Sequence, residues 1–230
     1  MFAPREDWEE QKARFAVDDR LRLPGALPEA LAEEIHGLLS HASFATMLAR
    51  NGQGVALGEG DISSMTPEQR TQLIRDVYKD AGHGSGFLYD GHQLAGSSDP
   101  AMQGILARIN APETLERVRE LTGISDITHA DGQATRYRGG HFLTRHKDDP
   151  GGQQRRLAYV LSLTKNWHPD WGGLLQFFEN DGRPRDAWAP GWNILSMFNV
   201  RHIHSVTYVT PFAGADRLSV TGWFRAGEPS

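Results

Sequence analysis

From Ile124 onward the chain changes its hydrophobic period to two, and that change limits its fold more than any other feature. GQATRYR, RLAYVLSL, GGLLQFF, NILSMF, SVTYV and RLSVTGWF are short, rich in β-branched and aromatic residues, and separated by Gly, Pro, Asn and Asp. Residues two apart share a face of a strand, so each run can turn one face to a core. In Glu179-Asn180-Asp181-Gly182 a glycine stands where a tight hairpin needs positive φ. Strands this short and closely spaced close into a barrel or a two-sheet jelly roll.

Ahead of Ile124 the spacing is helical. Pro28 to about Ala49 predicts one helix behind a first-turn proline. Thr66-Pro67, Asp99-Pro100 and Ala111-Pro112 open three more, the last reaching about Leu121. Between them, Asn51 to Ser64 is polar and glycine-rich, and Gly82 to Ser98 mixes glycine with Phe87, Leu88 and Tyr89; both are predicted as loops, either candidates for substrate contact or ordinary surface connections. The expectation is an α+β single domain over 1–230. Its core, 124–230, is a double-stranded β-helix (a cupin-like jelly roll), and 1–123 is mainly helical, with helices packed on one sheet.

Several function classes drop out on composition. The chain has no cysteine, which excludes disulfides, thiolate metal sites, iron–sulfur clusters and cysteine nucleophiles. A net charge of −5 and a pI near 6.0 provide no broad basic field, so neither nucleic acid nor a membrane surface is expected as a partner. The opening MFAPREDWEEQKARF is too charged for a signal peptide, and no run approaches the ~18 apolar residues of a spanning helix, so the expected location is cytoplasmic. Trp188, Trp192 and Trp223 sit in strand-like segments and are assigned to the core. Oligomeric state is not encoded in any motif of the sequence.

The chemistry-bearing residues begin with His146-Lys147-Asp148, where the chain leaves GQATRYRGGHFL for a loop. Residues two apart on an extended backbone point the same way, so one imidazole and one carboxylate can grip a single ion. Asp149 has the wrong parity for this. A third ligand must come from elsewhere: His204 lies 58 residues on, entering SVTYV, and His202 shares its parity, so the pattern alone does not separate them. Two histidines and one carboxylate on one side of a metal leave positions open, as iron(II) oxygenases require. His141 and His168 are predicted as surface or loop histidines. Thirteen residues past His204 comes Arg217. An arginine buried on a strand is costly unless its planar fork meets a carboxylate. That carboxylate is either the far end of a dicarboxylic co-substrate or a surface acid such as Asp216.

Taken in order, His146-Lys-Asp148, YVLSLTKNWHPDWGGLLQFF, His204-Ser-Val206 and Arg217-Leu-Ser219-Val-Thr-Gly-Trp-Phe224 resemble the prolyl 4-hydroxylase-type branch of the 2-oxoglutarate/iron(II) dioxygenases, over roughly Thr135 to Arg225. The resemblance implies iron(II) on His146, Asp148 and His204, and 2-oxoglutarate held through its distal carboxylate by Arg217, with ascorbate as a candidate reductant. It makes Tyr137 and Ser219 further co-substrate contacts, Tyr137 having a plain sheet aromatic as its alternative. It also implies a strand–loop–strand around Trp167 or Trp171 and Gly172-Gly173. Two departures stand out. Ser162 occupies the place where many relatives carry a supporting tyrosine, and Tyr159 has the opposite parity. The stretch from His204 to Arg217 is also longer than usual, with PFAGAD as a loop. The implied reaction is hydroxylation of an unactivated C–H bond, with a prolyl residue of a peptide or protein as substrate. A free amino acid or small metabolite is the alternative. Outside the family stand a cupin-like metalloenzyme and a non-catalytic jelly-roll binding module.

Overall fold

The structure, a computed structural model, describes residues 1–50, 52–148 and 154–228. Its helices are α1 (Trp8–Asp18), α2 (Glu29–His41), α3 (Glu59–Ser64), α4 (Pro67–Gly82), α5 (Pro100–Ile109) and α6 (Pro112–Thr122). The strands begin with β1 (Arg20–Pro24), β2 (Ala45–Arg50), β3 (Gln53–Leu57), β4 (Phe87–Gln93), β5 (His129–Ala130) and β6 (Gln133–Tyr137). They continue with β7 (Phe142–His146), β8 (Arg155–Ser162), β9 (Leu175–Phe178), β10 (Pro184–Trp188), β11 (Ile194–Asn199), β12 (Ile203–Val206) and β13 (Arg217–Arg225).

The strands form one curled antiparallel sheet in the order β1-β11-β8-β13-β6-β4-β7-β12-β9-β10, with the β2–β3 hairpin joined to β4 and β5 joined to β13. Curling turns this sheet into the expected jelly roll, whose two layers face each other across the site. Period-two burial explains the strands. In β8, Leu157, Tyr159 and Leu161 face the helices, which bring Phe15 from α1, Ile35 and Leu39 from α2, Met102 and Ile105 from α5, and Val118 from α6. Ala158, on the opposite face, packs with Leu175, Phe177 and Phe198 inside the roll. The helices therefore pack on one sheet, as expected.

The two ends of the sheet path are tied by charge. Arg20 of β1 reaches Asp186 of β10 at 2.6 Å and Asp18 at 2.7 Å, and its guanidinium lies 4.4 Å from the centre of the Phe177 ring. An arginine this buried is stable only with such hydrogen-bonded partners.

The N-terminal part differs from expectation in four places. The predicted helix from Pro28 stops at His41, and residues 45–50 become β2, where Leu48 and Ala49 are buried. The predicted loops hold β3 and α3 in one case and β4 in the other. In β4, the adjacent Phe87, Leu88 and Tyr89 looked like loop aromatics because a strand buried on both faces lacks polar alternation. The acidic opening segment forms α1, held by Phe15. GQATRYRGGHFL, read as one strand, is two: the chain turns at Gly139-Gly140 (φ +93° at Gly140), and β4 lies between β6 and β7.

The cap and turn expectations hold. Thr66 accepts from Gln69 N at 3.3 Å while the Gln69 side chain accepts from Thr66 N at 2.8 Å, a reciprocal cap for α4. Asp99 caps α5, and Gly182 (φ +88°) turns the β9–β10 hairpin. Trp188, Trp192 and Trp223 are half-buried, packed against core clusters from their rims rather than within them. Among the described residues no helix is long and apolar enough to cross a membrane.

Gly222 in β13 crosses under the Asp131–Gly132 bend so closely that an added Cβ would lie 2.2 Å from the Asp131 carbonyl oxygen. Gly222→Ala is expected to cost about 1–3 kcal/mol and to lower the thermal midpoint by roughly 2–10 °C. Gly37→Ala, inside α2 with open space about its Cβ, is expected to raise it. Calorimetry of the two variants checks both signs.

Candidate active site

His146 ends β7 and His204 lies directly opposite it on β12, in cross-strand register. A register irregularity follows between His204 and Val206, and β12 is fixed on its other side by β9. Asp148 follows His146 by two residues, and its backbone N–H donates to the Val200 carbonyl at 3.2 Å. The result is a compact cluster. Asp148 Oδ1 is 3.4 Å from His146 Nε2, its Oδ2 is 3.4 Å from His204 Nε2, and one ligand atom from each residue falls within 4.8 Å of the others. Among the described residues it is the one group of three or more such side chains that could hold a metal ion.

Backbone carbonyls set the tautomers. His146 Nδ1 lies 2.9 Å from the Thr144 carbonyl and His204 Nδ1 lies 3.0 Å from the His202 carbonyl. Each Nδ1 must donate there, which leaves both Nε2 lone pairs aimed at Asp148 and the space beside it. Burial pushes His204 down to about 4, so it is neutral at physiological pH. Burial also works against a charged His146, but the hydrogen bond and charge of Asp148 outweigh it and raise its pKa. For Asp148, burial would raise the carboxyl, yet its His146 hydrogen bond and the neighbouring imidazoles hold it below the usual carboxylate range. An anionic oxygen between two imidazole lone pairs is a donor set for a divalent cation.

The other candidates separate cleanly. The His202 ring lies edge-on to Phe177 with a buried, unpartnered Nε2, and this residue acts on the cluster through its carbonyl. His168 is exposed and caps the turn at Pro169–Trp171, as expected. His141 lies in the turn between β6 and β7, a loop position as expected, but is buried there, its backbone pinned by Arg138 and Val209. Asp149 lies outside the described residues.

A cavity of about 290 Å³ runs from the His146–Asp148–His204 cluster to Arg217. Arg217 is 3% exposed, forms no ion pair among the described residues, and leaves its Nε without a hydrogen-bond partner. Asp216, the acid that could have claimed it, is 44% exposed and approaches Arg136 instead. Arg217 stands opposite Tyr137 in the β13–β6 register, with its guanidinium carbon 4.9 Å from the Tyr137 ring centre. Ser219 is fully buried with its hydroxyl 2.8 Å from that of Thr135, so it meets the cavity through Thr135 rather than directly. Tyr159 donates its hydroxyl to the Asp131 carbonyl at 2.9 Å, and Ser162 is engaged with Gly191. Of the aromatic candidates, Tyr137 is the one beside Arg217.

The tryptophan ambiguity resolves by packing. Trp167 donates to the Gly172 carbonyl at 3.0 Å and packs with Tyr137, Val206 and Val209, while Trp171 lies edge-on to it from outside. Gly172 (φ +71°) and Gly173 (φ +65°) let this loop approach: a Cβ on Gly172 would fall 2.0 Å from the Tyr208 carbonyl oxygen, and one on Gly173 3.3 Å from Arg217 Cδ. Residues 211–216 form the expected loop.

Phe87 and Tyr89, in a segment the sequence marked for substrate contact but read as a loop, line the cavity from β4; sequence reasoning missed Arg155 and Trp223, which line it too. Parity could have found Trp223, since residues 217, 219, 221 and 223 share a face of β13. Arg155 lies with its guanidinium carbon 3.5 Å from the Trp223 ring centre.

Known proteins share this fold. Residues 132–225 match the model of the 2OG-Fe(II) oxygenase superfamily. Over 112 residues, 46% of its length, the chain is 31% identical to prolyl 3-hydroxylase OGFOD1 of Mus musculus, of which the match covers 20%. The chain thus spans about a fifth of the length of the curated relatives it matches. Among solved structures it is similar to a Pseudomonas putida prolyl-4-hydroxylase (TM-score 0.64, 19% identity, 96% of this chain and 100% of that one). It is likewise similar to a Trichoplax adhaerens prolyl hydroxylase solved with a hypoxia inducible factor peptide fragment (TM-score 0.64, 16% identity, 96% of this chain and 91% of that one).

Equilibrium dialysis under anaerobic conditions separates the histidines. His204→Ala is expected to abolish stoichiometric iron(II) binding, whereas His202→Ala, which keeps the carbonyl that orients His204, is expected to retain it.

Proposed function

We propose that this chain is a 2-oxoglutarate- and iron(II)-dependent dioxygenase that hydroxylates a prolyl residue of a peptide or protein, with His146, Asp148 and His204 as iron ligands and Arg217 as the seat of the distal carboxylate. The observation that carries this reading is the buried Arg217, without an ion pair among the described residues, at the far end of the cavity from the His146–Asp148–His204 cluster. A lone guanidinium in an apolar enclosure is strongly disfavoured, and a bidentate carboxylate relieves it. Binding a dicarboxylate there completes an otherwise uncompensated site. The three ligand residues fit iron(II): two neutral imidazoles and one carboxylate, with room left on the cavity side. When bound, the iron and 2-oxoglutarate supply oxygen activation coupled to decarboxylation to succinate.

The chain's own residues do the rest. The Thr144 and His202 carbonyls hold the two imidazoles in the metal-binding tautomer. Arg217, beside Tyr137 and screened by the Trp167 loop, orients a dicarboxylate so that its other end points to the cluster. Apolar groups around the cavity, including Leu175 and Phe198, limit water. The choice of a prolyl peptide follows the named relatives. A small metabolite is the competing substrate, and a cupin-like metal enzyme without 2-oxoglutarate has no use for Arg217. Residues 1–230 are taken as one functional unit, because β4 supplies part of the cavity wall.

Anaerobic addition of 2-oxoglutarate to the iron(II)-loaded protein is expected to produce a weak visible charge-transfer band. Arg217→Ala should weaken 2-oxoglutarate binding by at least roughly thirtyfold while leaving iron bound. Arg217→Lys should recover only part of it, because an ammonium lacks the planar fork. Iron binding with no band would overturn the reading in favour of the cupin-like one. Succinate release stimulated by proline-containing peptides, compared with free proline, then tests the substrate class.

A further inference from the structure

The cavity wall beside Arg217 is not built from the family-matched segment alone. Across three adjacent strands the side chains form a row: Arg217 on β13, Tyr137 opposite it on β6, and Tyr89 on β4, one step from the Asp90–Arg136 register pair. The Tyr89 and Tyr137 rings lie nearly parallel, 14° apart in plane and 5.3 Å between centres. The guanidinium carbon of Arg217 sits 4.9 Å from the centre of the same Tyr137 ring. Tyr137 is 4% exposed, Tyr89 lines the same cavity, and the Tyr89 hydroxyl has only a long contact, 3.4 Å, with Gln133 Nε2. The aromatic face of Tyr89, rather than its hydroxyl, is therefore its firm contact.

We infer that Tyr89 is a positioning residue for the co-substrate: by stacking on Tyr137 it fixes the ring that holds the Arg217 guanidinium in place. Offset-stacked rings and a cation near a ring face each favour particular geometries, so the middle ring transmits the restraint of the outer one. Without Tyr89, Tyr137 gains room on the β4 side and the arginine loses a fixed wall. Its charge stays buried, but its fork is no longer pre-set for two-point contact with a carboxylate. β4 thus contributes to co-substrate affinity although it lies ahead of residues 132–225. This inference rests on the dioxygenase reading.

The test is anaerobic titration of the iron(II)-loaded full chain with 2-oxoglutarate and no prime substrate, following the charge-transfer band. Tyr89→Leu should raise the apparent dissociation constant roughly threefold to tenfold, and Tyr89→Phe, which keeps the ring, should stay within about twofold of the parent protein. Iron(II) affinity, measured before 2-oxoglutarate is added, should not move in either variant. In a Tyr137→Leu background, Tyr89→Leu should add nothing, because the restraint passes through Tyr137. If Tyr89→Leu does not fold, Tyr89→Met takes its place as a long apolar side chain without a ring. An unchanged dissociation constant in the folded variant, a parallel loss of iron affinity, or additive effects of the two substitutions would each overturn the inference. A parent protein that binds iron(II) but gives no band would overturn the dioxygenase reading itself.

Discussion

β12 is held between β7 and β9, and its register on β7 decides whether this site exists. A slip of one residue would turn His204 to the other face of the sheet and bring Ile203 or Ser205 into its place. Two things prevent this. Pairing on the β9 side sets Ile203 against Phe178 and Val206 against Leu175, and the same strand buries Val206 beside Tyr137 and Val209. Ordinary packing of the jelly roll therefore aims the imidazole. The carbonyls of Thr144 and His202 then choose which nitrogen carries the proton.

The second constraint is electrostatic. The sheet buries a cation in Arg217 and, among the described residues, supplies no anion, while the neighbouring acid Asp216 approaches Arg136. Elsewhere the chain matches its buried charges with care. Arg20 has Asp18 and Asp186, and Asp90 has Arg136 and Arg138. An isolated exception inside a cavity is the kind of local violation that functional sites tolerate and scaffolds do not. The same logic places the glycines of the Trp167 loop, whose positive φ values allow backbone to come where a side chain would otherwise stand.

Much of this was legible in the sequence because the core obeys period two. Alternation located most of the jelly-roll strands, parity paired His146 with Asp148, and motif order separated His204 and Arg217 from the many other histidines and arginines. What parity could not do was choose between His202 and His204, since both lie on one face; only the β12 register and the turn before it decide that. Nor could local pattern find β4. Its Phe87-Leu88-Tyr89 run is covered on both faces, so it shows no alternation, and its partners lie forty or more residues away in sequence. The same holds for β2, whose residues continue a plausible helical pattern until the pairing with β3 and β4 overrides it.

The position of β4 in the middle of the sheet also bears on how the chain can be divided. The segment with the recognisable motif contains both β6 and β7 but not the strand that joins them. Expressed by itself, that segment would carry two bare strand edges facing each other across a missing ladder, each a row of unpaired N–H and C=O groups open to pairing with another chain. During synthesis the order is favourable, because β4 leaves the ribosome before either neighbour and is already present when they need an edge to pair with. A domain boundary drawn at the edge of the motif would therefore cut through the fold, and the shortened protein would tend toward aggregation rather than toward a smaller enzyme.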